Sequence, residues 1–214
     1  MVTRRTVRAL VGVLGLLSVA GIAYALRWRT NPSPCPYARR RWIGLPRPVI
    51  TRARLRDLLE PQAGERILEV GSGTGYYTLP IAQQLEPGGA IHAVDIQREM
   101  LEQLRTQATA RGRENVVPVH ADGQTLPYPD DTFDAAYLVL ALGEIPNQQQ
   151  ALAELHRVVK PGGRLVVGEL LPDPHFVTRT TLRRRASQEG FEFDTFAGTR
   201  VGYFGRFHVP ASPA

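Results

Sequence analysis

The sequence predicts an α/β fold in which a largely parallel β-sheet carries helices on its faces, and three observations predict it. Short apolar runs rich in β-branched residues alternate with helix-length stretches from about residue 49 onward. A glycine-rich run, Gly71-Ser72-Gly73-Thr74-Gly75, joins the first of those apolar runs to a helical stretch. Two acids, Asp95 and Asp122, close or follow the next two runs, at the end of the sheet where open α/β folds bind ligands.

The elements follow in order. From Ala9 to Leu26 the chain is apolar or small apart from Ser18 and Tyr24, with arginines at both ends. As a helix it spans about 27 Å, close to the thickness of a bilayer core, and Arg8 and Arg27 can reach the interfaces. Residues 1–30 are therefore read as a membrane anchor with a transmembrane helix at about 9–26. A cleaved signal peptide is the competing reading, with Ala23-Tyr24-Ala25 as the cleavage site and Thr3-Arg4-Arg5 hinting at twin-arginine export. The run is long for a signal core, which favours the anchor. Arginines 27, 29, 39, 40, 41 and 47 outnumber those before the helix, which places the catalytic body in the cytoplasm.

Residues 31–48, with Asn31-Pro32-Ser33-Pro34-Cys35-Pro36, read as a stiff juxtamembrane linker rather than a packed element. Residues 49–214 form the expected catalytic domain. Strands are expected at Arg66–Val70, Ile91–Asp95, Val116–His120, Phe133–Tyr137 and Arg164–Glu169. Helices are expected at Val49–Leu59, Tyr76–Leu85, Arg98–Arg111, Gln148–Val159 and Thr178–Glu189. Phe191–Phe196 and Tyr203–Val209 lack a helix between them and read as an antiparallel hairpin at the sheet edge.

Charge excludes one class of partner. The net charge is +6, but residues 1–60 hold twelve arginines against Asp57 and Glu60, a net of +10, which leaves −4 for the rest. Basicity is thus confined to the N-terminal arm, and the body is not a nucleic-acid binder. Cys35 is the only cysteine, so neither an internal disulfide nor a cysteine-based zinc cluster can form, and no metal is expected.

Alone, each of the three ligand signals has a plain explanation. The glycine run serves as a tight strand-to-helix connection, Asp95 as a helix N-cap, and Asp122 as a turn residue. Together, at the carboxyl ends of three successive strands, they point to a nucleoside-containing ligand. Tyr76 stands where a dinucleotide fingerprint wants a small residue for close helix packing, which weighs against a nicotinamide-dependent oxidoreductase.

ILEVGSGTGYYT, AVDIQREML, ADGQTLPYPDDTFDAAY and LHRVVKPGGRLVVGE resemble the successive motifs of class I S-adenosylmethionine (SAM)-dependent methyltransferases. The resemblance is strongest to the small-molecule branch that includes ubiquinone and menaquinone biosynthesis methyltransferases, and it covers about Pro61 to Glu169. It implies a Rossmann-like, seven-stranded, mostly parallel sheet with the last strand antiparallel, and SAM as cofactor. Glu69 and the loop Gly71, Ser72, Gly73 and Gly75 are implied to hold the methionine part, Asp95 and Ile96 the ribose, and Asp122 and Gly123 the adenine. Leu138 is implied to line the methyl-transfer pocket.

No nucleophilic residue is required, because the methyl arrives activated. For a carbon or phenol acceptor a general base helps, and Glu144, His175 and Tyr137 are the candidates because they follow strand ends. The anchor and its basic arm suggest a lipid- or quinone-like acceptor. Arg179, Arg183, Arg184 and Arg185 read either as a docking face for anionic headgroups or as a solvated helix face. A membrane-tethered scaffold or sensor that binds SAM without turnover is the alternative from the binding class. Oligomeric state is not legible in the sequence.

Overall fold

The computed structural model describes residues 32–39 and 47–211. The expected transmembrane helix at 9–26 lies outside the described residues, among which no helix is long and apolar enough to cross a membrane.

Among the described residues, seven strands form one sheet. They are β1 (Arg66–Val70), β2 (Ala90–Asp95), β3 (Val116–His120), β4 (Phe133–Val139), β5 (Val159–Leu170), β6 (Glu192–Gly198) and β7 (Gly202–His208), in the order β3-β2-β1-β4-β5-β7-β6. Pairings among β1 to β5 are parallel, and β7 runs antiparallel to both β5 and β6. The order reverses at β1, which opens a crevice at the carboxyl ends of β1, β2 and β4.

The buried strands read as continuous apolar runs because both faces are covered. Successive side chains alternate between two cores. Leu68, Ala136, Leu138, Leu165 and Val167 belong to one, and Ile67, Ala93, Ala135, Tyr137 and Val166 to the other. The first core is covered by α4 (Gln148–Val158) and α5 (Arg179–Gln188), through Leu152, Leu155, Leu182 and Ala186. The second is covered by α1 (Arg52–Leu59), α2 (Thr78–Gln84) and α3 (Arg98–Ala110), through Leu55, Leu59, Ile81, Leu101 and Leu104.

Side-chain caps set three of the helix starts. Thr51 Oγ1 accepts from Arg54 N at 3.1 Å, Asn147 Oδ1 from Gln150 N at 3.1 Å, and Thr178 Oγ1 from Thr181 N at 3.3 Å. Several boundaries differ from expectation, among them the start of α1 at Arg52 rather than Val49 and the end of β4 at Val139 rather than Tyr137, and two of the shifts have a visible cause. The helix expected from Tyr76 begins at Thr78, because the glycine turn continues through Tyr76 and Tyr77, whose rings meet edge-on at 4.8 Å. The strand expected from Arg164 begins at Val159, with a register shift opposite Phe133 and Ala135 that absorbs Pro161, Gly162 and Gly163.

Candidate cofactor and acceptor site

The site is built outward from the end of β1. Gly71 N and Ser72 N both donate to Val94 O, at 2.8 and 3.1 Å, so the loop is laced to the neighbouring strand. Gly71 has φ +79°, and a Cβ there would stand 2.4 Å from Cβ of Ala141. Only glycine combines that backbone with that approach. At Gly75 (φ +92°) a Cβ would meet Leu104 Cδ1 at 2.4 Å, so the third glycine serves close packing against α3.

Asp95 closes the turn from the other side. Its Oδ2 accepts from Gly73 N at 2.8 Å and its Oδ1 from Gln97 N at 2.9 Å. The N-cap of α3 is Gln97, which makes no side-chain capping bond. Burial raises the Asp95 pKa against the pull of these amides. Asp122 forms the turn that its type suggests: Oδ1 accepts from Gln124 N at 2.9 Å, and Oδ2 from Gln124 Nε2 at 2.9 Å.

Glu69 is 2% exposed and accepts from Thr78 Oγ1. Burial pushes its pKa up to about 8, with the Thr78 and Tyr137 hydroxyls pulling the other way.

These residues surround one cavity of about 370 Å³, within the size range of small-molecule sites. Glu69, Gly71, Ser72, Gly73, Asp95, Ile96, Asp122 and Gly123 all line it, whereas Gly75 stands behind the loop. The rest of the lining is largely apolar, with Val139, Leu140, Ala141, Ile145 and Pro146, and carries Glu144 and Asp173.

The pocket role implied for Leu138 is corrected. The two-residue period of β4 buries its side chain fully in the core under α4, and Val139 and Leu140 line the cavity instead. Of the three candidate bases, only Glu144 lines the cavity. It sits on a short 3-10 turn, Leu142–Glu144, and burial pushes its pKa to about 8. Tyr137 is fully buried beside Glu69, and His175 is buried with its carbonyl against Gly143.

The structure adds residues that sequence patterns did not reveal. Asp173 follows β5 and lines the wall, its pKa raised by burial, and the strand-end rule could have found it. Pro34 and Cys35, expected in a stiff juxtamembrane linker rather than a packed element, instead form part of the cavity wall. Cys35 N donates to Glu144 Oε2 at 3.0 Å, and Gln97 Nε2 donates to Cys35 O at 2.9 Å. A strap thus ties the acceptor wall to the ribose side. Arg47 also lines the cavity, its guanidinium 5.3 Å from the Tyr76 ring centre.

A methyltransferase-domain family model matches residues 68–167. Residues 68–167 are a class I SAM-dependent methyltransferase domain. Its relatives include the demethylmenaquinone methyltransferases of Thermus thermophilus, 40% identical over 123 residues (58% of this chain, 55% of the relative), and of Anoxybacillus flavithermus, 33% identical over 124 residues (58% and 52%). The chain spans about half the length of the curated relatives it matches. A SAM-dependent methyltransferase of Aquifex aeolicus shares the fold at a TM-score of 0.75 and 18% identity, covering 82% of this chain and 99% of its own.

SAM is the cofactor of this domain class, and the cavity fits it on three counts. The glycine cradle leaves room that a Cβ at residue 71 would fill. Ser72 Oγ is buried in the cavity wall without a hydrogen-bond partner. Glu69 and Asp95, held toward their neutral forms by burial, are groups that gain from a ligand bearing ammonium and hydroxyl donors. Glu69, Ser72 and Gly73 would hold the amino-acid part, Asp95 and Ile96 the ribose, and Asp122 and Gly123 the adenine edge.

Proposed function

We propose that the protein methylates a small, largely apolar, lipid- or quinone-like acceptor at a membrane, to which residues 9–26 tether it as a single-pass anchor with the body on the cytoplasmic side. One observation carries the reading: the cofactor cradle and an apolar wall bearing Glu144 line a single cavity. The relatives' names support an aromatic or quinone-type acceptor.

SAM supplies a methyl group on a sulfonium centre, which a nucleophilic carbon or oxygen can take directly. The chain's task is to align that nucleophile, exclude water and receive a proton. Val139, Leu140, Ala141 and Ile145 seat the acceptor by burying its apolar body. Pro34 and Cys35 form the strap side of the same cavity and restrict water. Glu144 receives the proton, since a carboxyl with a pKa near 8 is a stronger base than an ordinary carboxylate.

The test incubates the full chain with methyl-labelled SAM and extracted native membranes. Label is expected in a lipid-extractable product. Label only in aqueous metabolites or protein would end the lipid reading. Tight SAM binding with no labelled product would support a membrane-tethered scaffold or sensor, and NAD binding without SAM binding would replace the methyltransferase reading with an oxidoreductase.

A further inference from the structure

Four large aliphatic side chains are exposed among the described residues: Ile96, Val117, Leu171 and Val201, at 48, 37, 41 and 52%. Three of them share one end of the molecule. Ile96 follows the last residue of β2, Leu171 follows the last residue of β5, and Val201 precedes the antiparallel β7, which places it at the same end. Leu171 and Val201 are neighbours, with Leu171 N donating to Val201 O at 2.8 Å. The cavity lies at this end of the sheet, and the chain enters here as well, since Pro34 and Cys35 form part of its wall.

Charge is sorted along the same axis in the α5–β6–β7 unit. Arg179 begins α5 at the cavity end, and Arg183 and Arg184 follow one turn on, with no acid in the helix. Exposed Arg200 sits in the turn beside Val201. Glu189, Glu192 and Asp194 lie at the opposite end, where Asp194 pairs with Arg206 and His208. The aromatic edge orients the arginines: Arg179 stacks over Phe196 and Tyr203 at 5.1 and 5.3 Å, and Arg183 over Phe193 at 4.4 Å. Arg179, Arg183 and Arg184 line an open cleft with Thr180, Ser187 and Phe196, and no ion-pair partner of these arginines is found among the described residues. Arg185 departs from the group and donates to Gln148.

We propose that this end of the sheet is a docking face for an anionic lipid bilayer, with Leu171 and Val201 entering the headgroup region and the exposed Arg183, Arg184 and Arg200 contacting anionic headgroups. Exposed aliphatic side chains flanked by arginines match the two forces that hold a protein on such a surface, apolar burial and attraction to negative lipid. Seating this face on the bilayer turns the cavity toward the membrane, so an apolar acceptor enters without crossing water. The face rests on the lipid-acceptor reading for its purpose, but its test needs neither SAM nor acceptor.

The experiment uses the full chain in a Cys35→Ser background, with an environment-sensitive dye on Leu171→Cys, Val201→Cys or, as the reference, Val117→Cys on β3. Vesicles of phosphatidylcholine with about one-third phosphatidylglycerol are compared with pure phosphatidylcholine. The dye at 171 and 201 is expected to report an apolar environment on the anionic vesicles and the dye at 117 is not, whatever the N-terminal segment does. The signal should fall severalfold in about 0.5 M salt, or in the Arg183→Gln, Arg184→Gln double variant, because screening and charge removal weaken headgroup attraction. Equal signals at all three positions, no signal at 171 and 201, or equal signals on neutral vesicles would each overturn the proposal. If labelled lipid product still forms in that case, the methyl-transfer reading stands without the docking face.

Discussion

The two halves of the cavity are assembled by different means. The cofactor half uses the chain ends of β1, β2 and β3, and its polar contacts stay within one turn or bridge adjacent strands: Asp95 to Gln97 and, 22 residues back, to Gly73, Asp122 to Gln124, Thr78 to Glu69. The acceptor half joins segments far apart in sequence, and its defining bond, Cys35 to Glu144, spans 109 residues. The cofactor half is thus built largely by local backbone geometry, whereas the other half depends on contacts between distant segments. Changes in one half should therefore alter cofactor affinity and changes in the other should alter turnover.

The largest expected effect lies in the acceptor half. Glu144→Gln should lower kcat about 10²- to 10⁴-fold, the usual range for a general base, with the SAM Kd nearly unchanged. In the parent protein, turnover should rise with pH through about 8, because the proton-accepting form of Glu144 is the ionised one, and the variant should lose that rise. Steady-state kinetics and calorimetry give both numbers. A large change in SAM Kd would erase the division between the halves.

Leu138→Ala belongs to neither half, since its side chain fills the core. Chemical denaturation should show a loss of about 3 kcal/mol, the typical cost of such a cavity. Methyl transfer by the folded fraction should be intact, and a lowered kcat would return Leu138 to the acceptor wall.

Asp95→Ala should weaken SAM binding roughly 30- to 100-fold, on the order of 2–3 kcal/mol for charge-assisted bonds to ribose, with kcat at saturating SAM little altered. An unchanged Kd by calorimetry would leave Asp95 as a turn residue only.

The smallest effect separates folding from function. Glu69 has a folded pKa near 8 against 4.5 for the free side chain, so between those values the folded state holds a proton that the unfolded state has released. Stability of the cofactor-free protein should fall as pH rises from about 5 toward 8, and Glu69→Gln should remove up to about 2 kcal/mol of the drop between pH 6 and 8. Urea titrations at the two pH values measure it. An unchanged slope would assign the drop to Glu144, Asp95 and Asp173, whose pKa values burial also raises.

The same division explains what was legible in the sequence. The expected strands and helices are present because apolar periodicity is a local signal, with ends shifted at Thr78 and Val159 by turn and bulge geometry. The cofactor loop was readable because glycines and strand-end acids sit at fixed local spacing. Leu138 was misplaced because a motif gives a position along the strand but not the face its side chain takes. Cys35 gave no sign of its place, since a proline-rich segment looks like a spacer whether it is solvated or laid against a cavity. Asp173 was findable in principle, but acids after strands are common.

The contact between Gly71 and Ala141 also limits how far this site can be redesigned. Because a carbon at the one would sit 2.4 Å from the methyl of the other, the cofactor loop and the acceptor wall share a surface without slack. A larger side chain at Ala141, introduced to reshape acceptor preference, would press on the loop and weaken SAM binding at the same time. Variation aimed at new acceptors is better begun at Val139, Leu140 and Ile145, which line the wall beyond that contact.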